Sequence, residues 1–299
     1  MIVPIILGAG TIAGFLLYRK FKKSKINQDS NFIEFSSNSK LQILYNNYIT
    51  NIKNKITKIT DLIDSVPYVI YKRIHSITGT IFLGGFVIFH YINNSLAKNP
   101  KLLNKFTKKM HKFPLLPLIE IFGIYIPLTI HIVIGIILLR TSKINYNLPY
   151  ETNYRFILQR ITAYIILFTL IFHLKTVRFN EYLPEFIRKA LNIPSKRDFT
   201  FQKVNIWFKP PLRPIGLLIY KLFTLSVAYH LSNGLWTSFI TWGIAKTYKK
   251  QKQLRDLSNI VFFILAFWGL LIIHFYSQDY NNSKHKKNDS YEEKEELED

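Results

Sequence analysis

The chain has no cysteine among its 299 residues. That absence excludes disulfides, thiolate metal sites, protein-held iron–sulfur clusters and the CxxCH attachment of c-type haem, so redox chemistry here needs another ligand. Histidine, with eight copies, is the one left. Acidic side chains are scarce too: 18 Asp and Glu against 40 Lys and Arg give a formal net charge of +22. Yet 48% of the residues are hydrophobic, including 24 Phe and 18 Tyr. A single soluble domain this basic would repel itself while exposing much apolar surface, which argues against a soluble enzyme. The dinucleotide glycine fingerprint is also missing, so a flavin or nicotinamide site of that type is not expected.

Charge and apolarity are compatible if they alternate along the chain, and they do. Charge-poor runs long enough to cross a bilayer as helix extend roughly from Ile74 to Asn93, Leu115 to Leu139, Phe156 to Leu174, Ile215 to Ala245 and Leu257 to Tyr276. A uniformly apolar helix has no polar face to offer water, so five of them imply lipid. Ile2 to Tyr18 is a shorter candidate, followed at once by Arg19, Lys20, Lys22, Lys23 and Lys25. It lacks a basic residue before its apolar run and reads as a short anchor rather than a secretory signal. The expected fold is all-α and polytopic, a five-helix transmembrane bundle with an extra short N-terminal apolar helix.

This divides the chain into a membrane anchor over 1–18, a basic linker over 19–72, the five-helix domain over 73–277 and an acidic, disordered tail over 278–299. Within the linker, Leu41, Tyr45, Tyr48, Ile52, Ile56, Ile59 and Ile63 recur at helical spacing, with Lys53, Lys55 and Lys58 on other faces. That pattern predicts an amphipathic helix over 40–64, lying on a membrane surface or against a partner. From Arg178 to Arg213, Pro184, Pro194, Pro210 and Pro211 predict irregular loop with short helices. No internal repeat is evident. Basic loops lie on both sides of the spans, so positive-inside counting only weakly favours the 19–73 stretch as inside. The cations flank spans, which makes nucleic acid a poor explanation for them.

His90, His131, His173 and His230 each fall well inside a different one of the first four spans. One intramembrane histidine can be a hydrogen-bonded packing residue; four on consecutive helices suggest function. With a rise of 1.5 Å per residue, His90 and His173 both lie about 22–25 Å from the face where helix one enters, and His131 and His230 about 22 Å from the opposite face. Two bis-histidine sites follow, about 15 Å apart along the normal of a hydrocarbon core about 30 Å thick. Paired imidazoles without thiolate or carboxylate suit a b-type haem better than zinc or di-iron, because haem brings four nitrogens and needs two axial ligands. The expected complement is two haem b. Eleven residues before His90 and His173 stand Gly79 and Thr162, small side chains on the same helix face at the level of the other site. Eleven before His131 is Glu120, a candidate proton carrier at the level of His90 and His173, or a helix N-terminal acid stabilised by the dipole.

Several stretches resemble the diheme cytochrome b subunit of bacterial succinate dehydrogenase and fumarate reductase. They are Arg73-Ile-His75-Ser76-Ile-Thr-Gly79 with His90, Leu118-Ile-Glu120-Ile-Phe with His131, Leu158-Gln159-Arg160 with His173, and His230-Leu-Ser232-Asn233-Gly234-Leu-Trp236 followed by Thr241-Trp242-Gly243. Together they cover about residues 70–277 in the family's order. The resemblance implies an anchor for a flavoprotein and an iron–sulfur protein, with His90 and His173 axial to a distal haem and His131 and His230 to a proximal one. It further implies exchange of electrons with a membrane quinone, usually menaquinone, and a bacterial cytoplasmic membrane, with a mitochondrial inner membrane also open. His75, Arg73 and Arg160 resemble family residues that neutralise haem propionates, or they snorkel at the interface. Ser76 and Asn233 could bond a propionate or orient an imidazole. His274, His111 and His285 read as ordinary. Competing readings are the cytochrome b of a hydrogenase or formate dehydrogenase, and a haem-free transporter or scaffold. Transporter-like repeats and broken helices are not evident.

Overall fold

A computed structural model describes residues 40–141, 144–179 and 200–278. The Ile2 to Tyr18 anchor, the first part of the basic linker, the middle of the proline-containing loop with Pro184 and Pro194, the acidic tail and His285 lie outside the described residues. Among the described residues all regular structure is helical. The segment up to Ser65 and the bundle from Val66 onward form separate units.

In the first unit, α1 (Lys40–Ser65) is 26 residues of continuous helix. Tyr45, Tyr48, Ile56 and Ile59 along its apolar stripe are exposed.

Among the described residues the bundle has five helices long and apolar enough to cross a membrane: α2 (Tyr68–Lys98), α4 (Leu116–Thr141), α5 (Glu151–Arg178), α7 (Arg213–Thr241) and α8 (Tyr248–Ser277). Among the described residues it also has two short α-helices, α3 (Pro100–His111) and α6 (Thr200–Asn205), the latter running on into a 3-10 turn over Ile206–Phe208. Four of the five spans are longer than the apolar runs that mark them. α5 begins at Glu151 and ends at Arg178, because charged residues at a span's ends stay helical while their heads reach the interface. α7 is the exception at its C-terminus. It stops at Thr241, short of Ala245, where Gly243 turns the chain with φ 72°. Local caps follow from sequence. Asn99 Oδ1 accepts from Leu102 N ahead of Pro100 in α3, and Thr247 Oγ1 accepts from Lys250 N at the start of α8.

Consecutive spans run antiparallel. We call the end where α2, α5 and α8 begin the near end, and the end where they finish the far end. α7 is central, packed on α2, α5 and α8, while α4 lies against α2. Outward faces are apolar: Phe168 and Phe267 are each 70% exposed, a placement that makes sense only against lipid. The tightest packing is at the far end, where Leu103 of α3 is fully buried and Phe201, Trp207, Tyr220 and Tyr276 close the bundle. Asn205 Nδ2 donates to the Tyr276 carbonyl (2.6 Å) and Tyr276 OH to Asn94 Oδ1 (2.7 Å), tying α6, α8 and α2 together there.

Three spans contain a wider, π-helical turn: Thr78–Leu83 in α2, Ile121–Tyr125 in α4 and Leu174–Arg178 in α5. Such turns re-aim side chains and gather at functional sites. Here one begins next to Gly79, one directly after Glu120 and one directly after His173.

Candidate functional site

The bundle brings its intramembrane histidines together in two groups. Toward the far end, His90 of α2 and His173 of α5 face each other with ring centroids 5.9 Å apart and planes at 89°. Phe86, Phe223 and Tyr220 surround them. His173 Nδ1 is buried with no hydrogen-bond partner among the described residues. Toward the near end, His131 of α4 and His230 of α7 stand 6.1 Å apart with planes at 81°. His131 packs against Gly79, eleven residues before His90, so the two groups are separated by about 16 Å along α2.

A fifth ring joins the near-end group. His75 stacks on His131 with centroids 3.8 Å apart and planes at 13°. The contact is reciprocal: His75 Nδ1 lies 3.1 Å from the His131 carbonyl and His131 Nδ1 3.0 Å from the His75 carbonyl. Space for it comes from two glycines, each four residues after one of the histidines. A Cβ on Gly79 would come within 2.5 Å of His131 Cε1, and one on Gly135 within 3.1 Å of His75 Cε1. The sequence signal was the spacing His75-xxx-Gly79 and His131-xxx-Gly135. His75, His131 and His230 each offer a nitrogen, all within 4.8 Å of one another.

His230 is held by a network that sequence reading found only in part. Its Nδ1 lies 3.2 Å from the Gln159 carbonyl, and Gln159 Nε2 donates to the His230 carbonyl (3.0 Å). Asn233, fully enclosed, donates through Nδ2 to Gln159 Oε1 (2.8 Å) and accepts from Arg155 Nη1 (3.4 Å). Arg155, not singled out from the sequence, also donates to Asn259 Oδ1 (2.6 Å) and Glu151 Oε1 (2.9 Å) and lies over the Trp236 ring. Glu151 bridges on to Arg255 (2.6 Å). Asn233 thus acts on the backbone partner of His230 rather than on its ring.

Arg73, Ser76 and Arg160 lie toward the near end. Trp242 Nε1 donates to Ser76 Oγ (2.8 Å), Ser76 Oγ donates to the Arg73 carbonyl (2.9 Å), and the Arg73 guanidinium lies 5.4 Å over the Trp242 ring. Arg160 donates to the Leu138 carbonyl (3.4 Å) and lies 4.3 Å from the Phe156 centroid. Thr162 is buried, its hydroxyl donating to the Leu158 carbonyl (2.8 Å). Glu120 is at the opposite end, at the start of α4, half-buried and ion-paired with Arg178 Nη2 (2.6 Å). Arg178 Nε also donates to Tyr125 OH (3.2 Å). From the sequence alone Arg178 reads only as the start of a loop. His111 ends α3, and His274 lies near the end of α8 beside Gln278.

Fold and site together define an integral membrane protein whose polar interior is built from histidines on four consecutive spans. No family model and no solved structure matches the chain. Among curated proteins, it is 31% identical over 205 residues to the succinate dehydrogenase cytochrome b558 subunit of Bacillus subtilis (strain 168), covering 68% of this chain and 94% of that protein. The chain belongs to the family of the succinate dehydrogenase cytochrome b558 subunit, the cytochrome b membrane anchor. The relative's source agrees with the bacterial membrane expected from the sequence.

Proposed function

We propose that this chain carries two haem b groups, held by His90 with His173 and by His131 with His230, and moves electrons between an iron–sulfur subunit and membrane quinone. The observation that supports this most is the spacing of the two pairs. Two imidazoles on opposite sides of one iron, each with a metal–nitrogen bond of about 2 Å, have centroids about 6.3 Å apart. The pairs stand at 5.9 and 6.1 Å.

The donor set fits the group. His131 and His230 each direct Nδ1 to a backbone carbonyl, which fixes the Nδ1–H tautomer and leaves Nε2 with its lone pair for a metal. At the far-end pair His173 Nδ1 is buried with no partner among the described residues, so no carbonyl there fixes its tautomer as at His131 and His230. Haem ligated this way supplies one-electron chemistry whose potential the protein sets through its axial ligands and their hydrogen bonds. The chain's own residues then have distinct tasks. Phe86, Phe223 and Tyr220 keep water from the far-end pair. His75 stacks on one face of His131 and so fixes the tilt of that ring. Arg73 and Arg160 supply cations toward the near end, where they can neutralise propionates, while Ser76 holds the Arg73 backbone and Trp242, and Asn233 holds Gln159 against His230. Glu120 takes or gives the quinone-linked proton at its carboxylate, with Arg178 holding Oε2 and so its orientation.

The three nitrogens of His75, His131 and His230 favour a second reading, a mononuclear metal ion. It is weaker. Ligands around one ion lie about 3.3 Å apart, and His75 uses its Nδ1 on the His131 carbonyl while stacking on that ring.

Succinate chemistry belongs to partner subunits, a flavoprotein and an iron–sulfur protein, because this chain has no cysteine with which to hold a cluster. The relative's name favours this over a hydrogenase or formate dehydrogenase arm. Affinity purification through a tag on this chain tests it. Two further polypeptides with covalent or tightly bound flavin and iron–sulfur signals, and succinate-dependent quinone reduction, are expected. A chain that purifies with hydrogenase or formate dehydrogenase partners would contradict it.

A further inference from the structure

Between α7 and α8 at the far end, on the lipid-facing side, lies a groove of about 480 Å³. Leu217, Lys221 and Leu225 form one wall, and Leu270, Ile273 and His274 most of the other. Its polar groups are gathered at one level. Lys221 is exposed and lies eight residues, about 12 Å, inside the first residue of α7. α7 is 29 residues, about 43 Å, against a hydrocarbon core of about 30 Å, so the Lys221 backbone sits a few ångströms below the apolar boundary and its ammonium reaches up to it. His274, one turn from the end of α8, and Ser277 open onto the same groove. One turn deeper, Leu225 and Leu270 continue it toward the bilayer centre.

A cation on a lipid-facing span is expensive without a counter-charge. The described acids of the bundle do not supply one. Glu120 is paired with Arg178, Glu151 with Arg155 and Arg255, and Asp256 lies beside Arg255 at the opposite end. What reaches this groove in the membrane is lipid, whose phosphate lies at the depth of the ammonium and whose tail matches the apolar slot below it.

We propose that the α7–α8 groove is a binding site for an anionic phospholipid, with the phosphate against Lys221 and His274 and an acyl chain along Leu225 and Leu270. The site is on the outer surface of the bundle and uses none of the four paired histidines, so it stands whether or not those hold haem. It gives the far end, where the most tightly packed residues lie, a lipid that cross-links α7 to α8.

The test is native mass spectrometry of the full chain in its detergent-purified complex, titrated with phosphatidylglycerol, phosphatidylcholine or inorganic phosphate. Phosphatidylglycerol is expected to bind more tightly than phosphatidylcholine. Lys221→Met should weaken phosphatidylglycerol by about fivefold, the share of one cation near a membrane surface, and Lys221→Arg should retain it. Leu225→Trp, which fills the tail slot, should displace both lipids, and with Lys221→Arg it carries the test if Lys221→Met does not accumulate. Equal binding of the two lipids, indifference to Lys221→Met, displacement by millimolar phosphate, or quinone leaving in place of phospholipid would each overturn the assignment.

Discussion

His75 and His131 stack face to face at 3.8 Å, and each rests in the space of the glycine four residues after the other. The two hydrogen bonds between them run from ring to backbone in both directions. The α2–α4 contact is therefore a two-sided clasp in which neither ring can shift without releasing the other.

The clasp depends most on Gly79. A methyl group there would meet His131 Cε1 at 2.5 Å, whereas at Gly135 it would meet His75 Cε1 at 3.1 Å. Gly79→Ala should destabilise the protein by about 1–3 kcal/mol, the cost of overpacking, and Gly135→Ala by less. Thermal unfolding in detergent measures both. Equal stability of the two variants would show that the ring moves aside freely.

His75→Ala removes the brace without touching a paired histidine. On the proposed assignment, one haem midpoint potential should shift while the other stays, since only the near-end ring loses its stacked neighbour. Redox potentiometry of the purified complex reads this. Two unshifted potentials would leave His75 a packing residue.

Arg155 joins α5, α7 and α8 through Asn233, Asn259 and Glu151. Arg155→Met would strand the amide oxygens of Asn233 and Asn259 inside the bundle, at about 1–3 kcal/mol for each unsatisfied group. A clear loss of thermal stability is expected, with partial recovery in Arg155→Lys, whose point charge reproduces only part of the fork. An unchanged unfolding temperature for Arg155→Met would mean that water replaces the guanidinium.

Glu120 and Arg178 are partly exposed, 20% and 37%, so their ion pair contributes little stability, about 1 kcal/mol or less. Glu120→Gln should leave folding and both haem spectra intact and abolish quinone turnover. Arg178→Gln should reduce turnover less, because the carboxylate survives without its anchor. Full turnover in Glu120→Gln would make the pair structural.

Much of this was legible in sequence because lipid enforces simple rules. Apolar runs located the spans, and the helical rise alone put His90 level with His173 and His131 level with His230, the same rings that face each other in the bundle. Rise fixes depth but not azimuth or neighbour. Hence Glu120 could be placed at the far end while its partner Arg178, 58 residues away on another helix, could not. Apolarity ends before Glu151, Arg155 and Arg178 are reached, although the helix continues through them to the interface, so hydropathy alone underestimates the span. The His75–His131 stack was hidden for a different reason: it depends on two glycines whose effect, close approach of α2 and α4, appears only when both helices are present.

The central claim is that His90 with His173 and His131 with His230 hold one haem b each. Reduced-minus-oxidised spectra with haem quantification test it on the wild type, His173→Ala and His131→Ala. Two b-type haems per chain are expected in the wild type and one in each variant, with a different one remaining in the two cases. A wild-type chain without haem, or variants that keep both, would contradict the account.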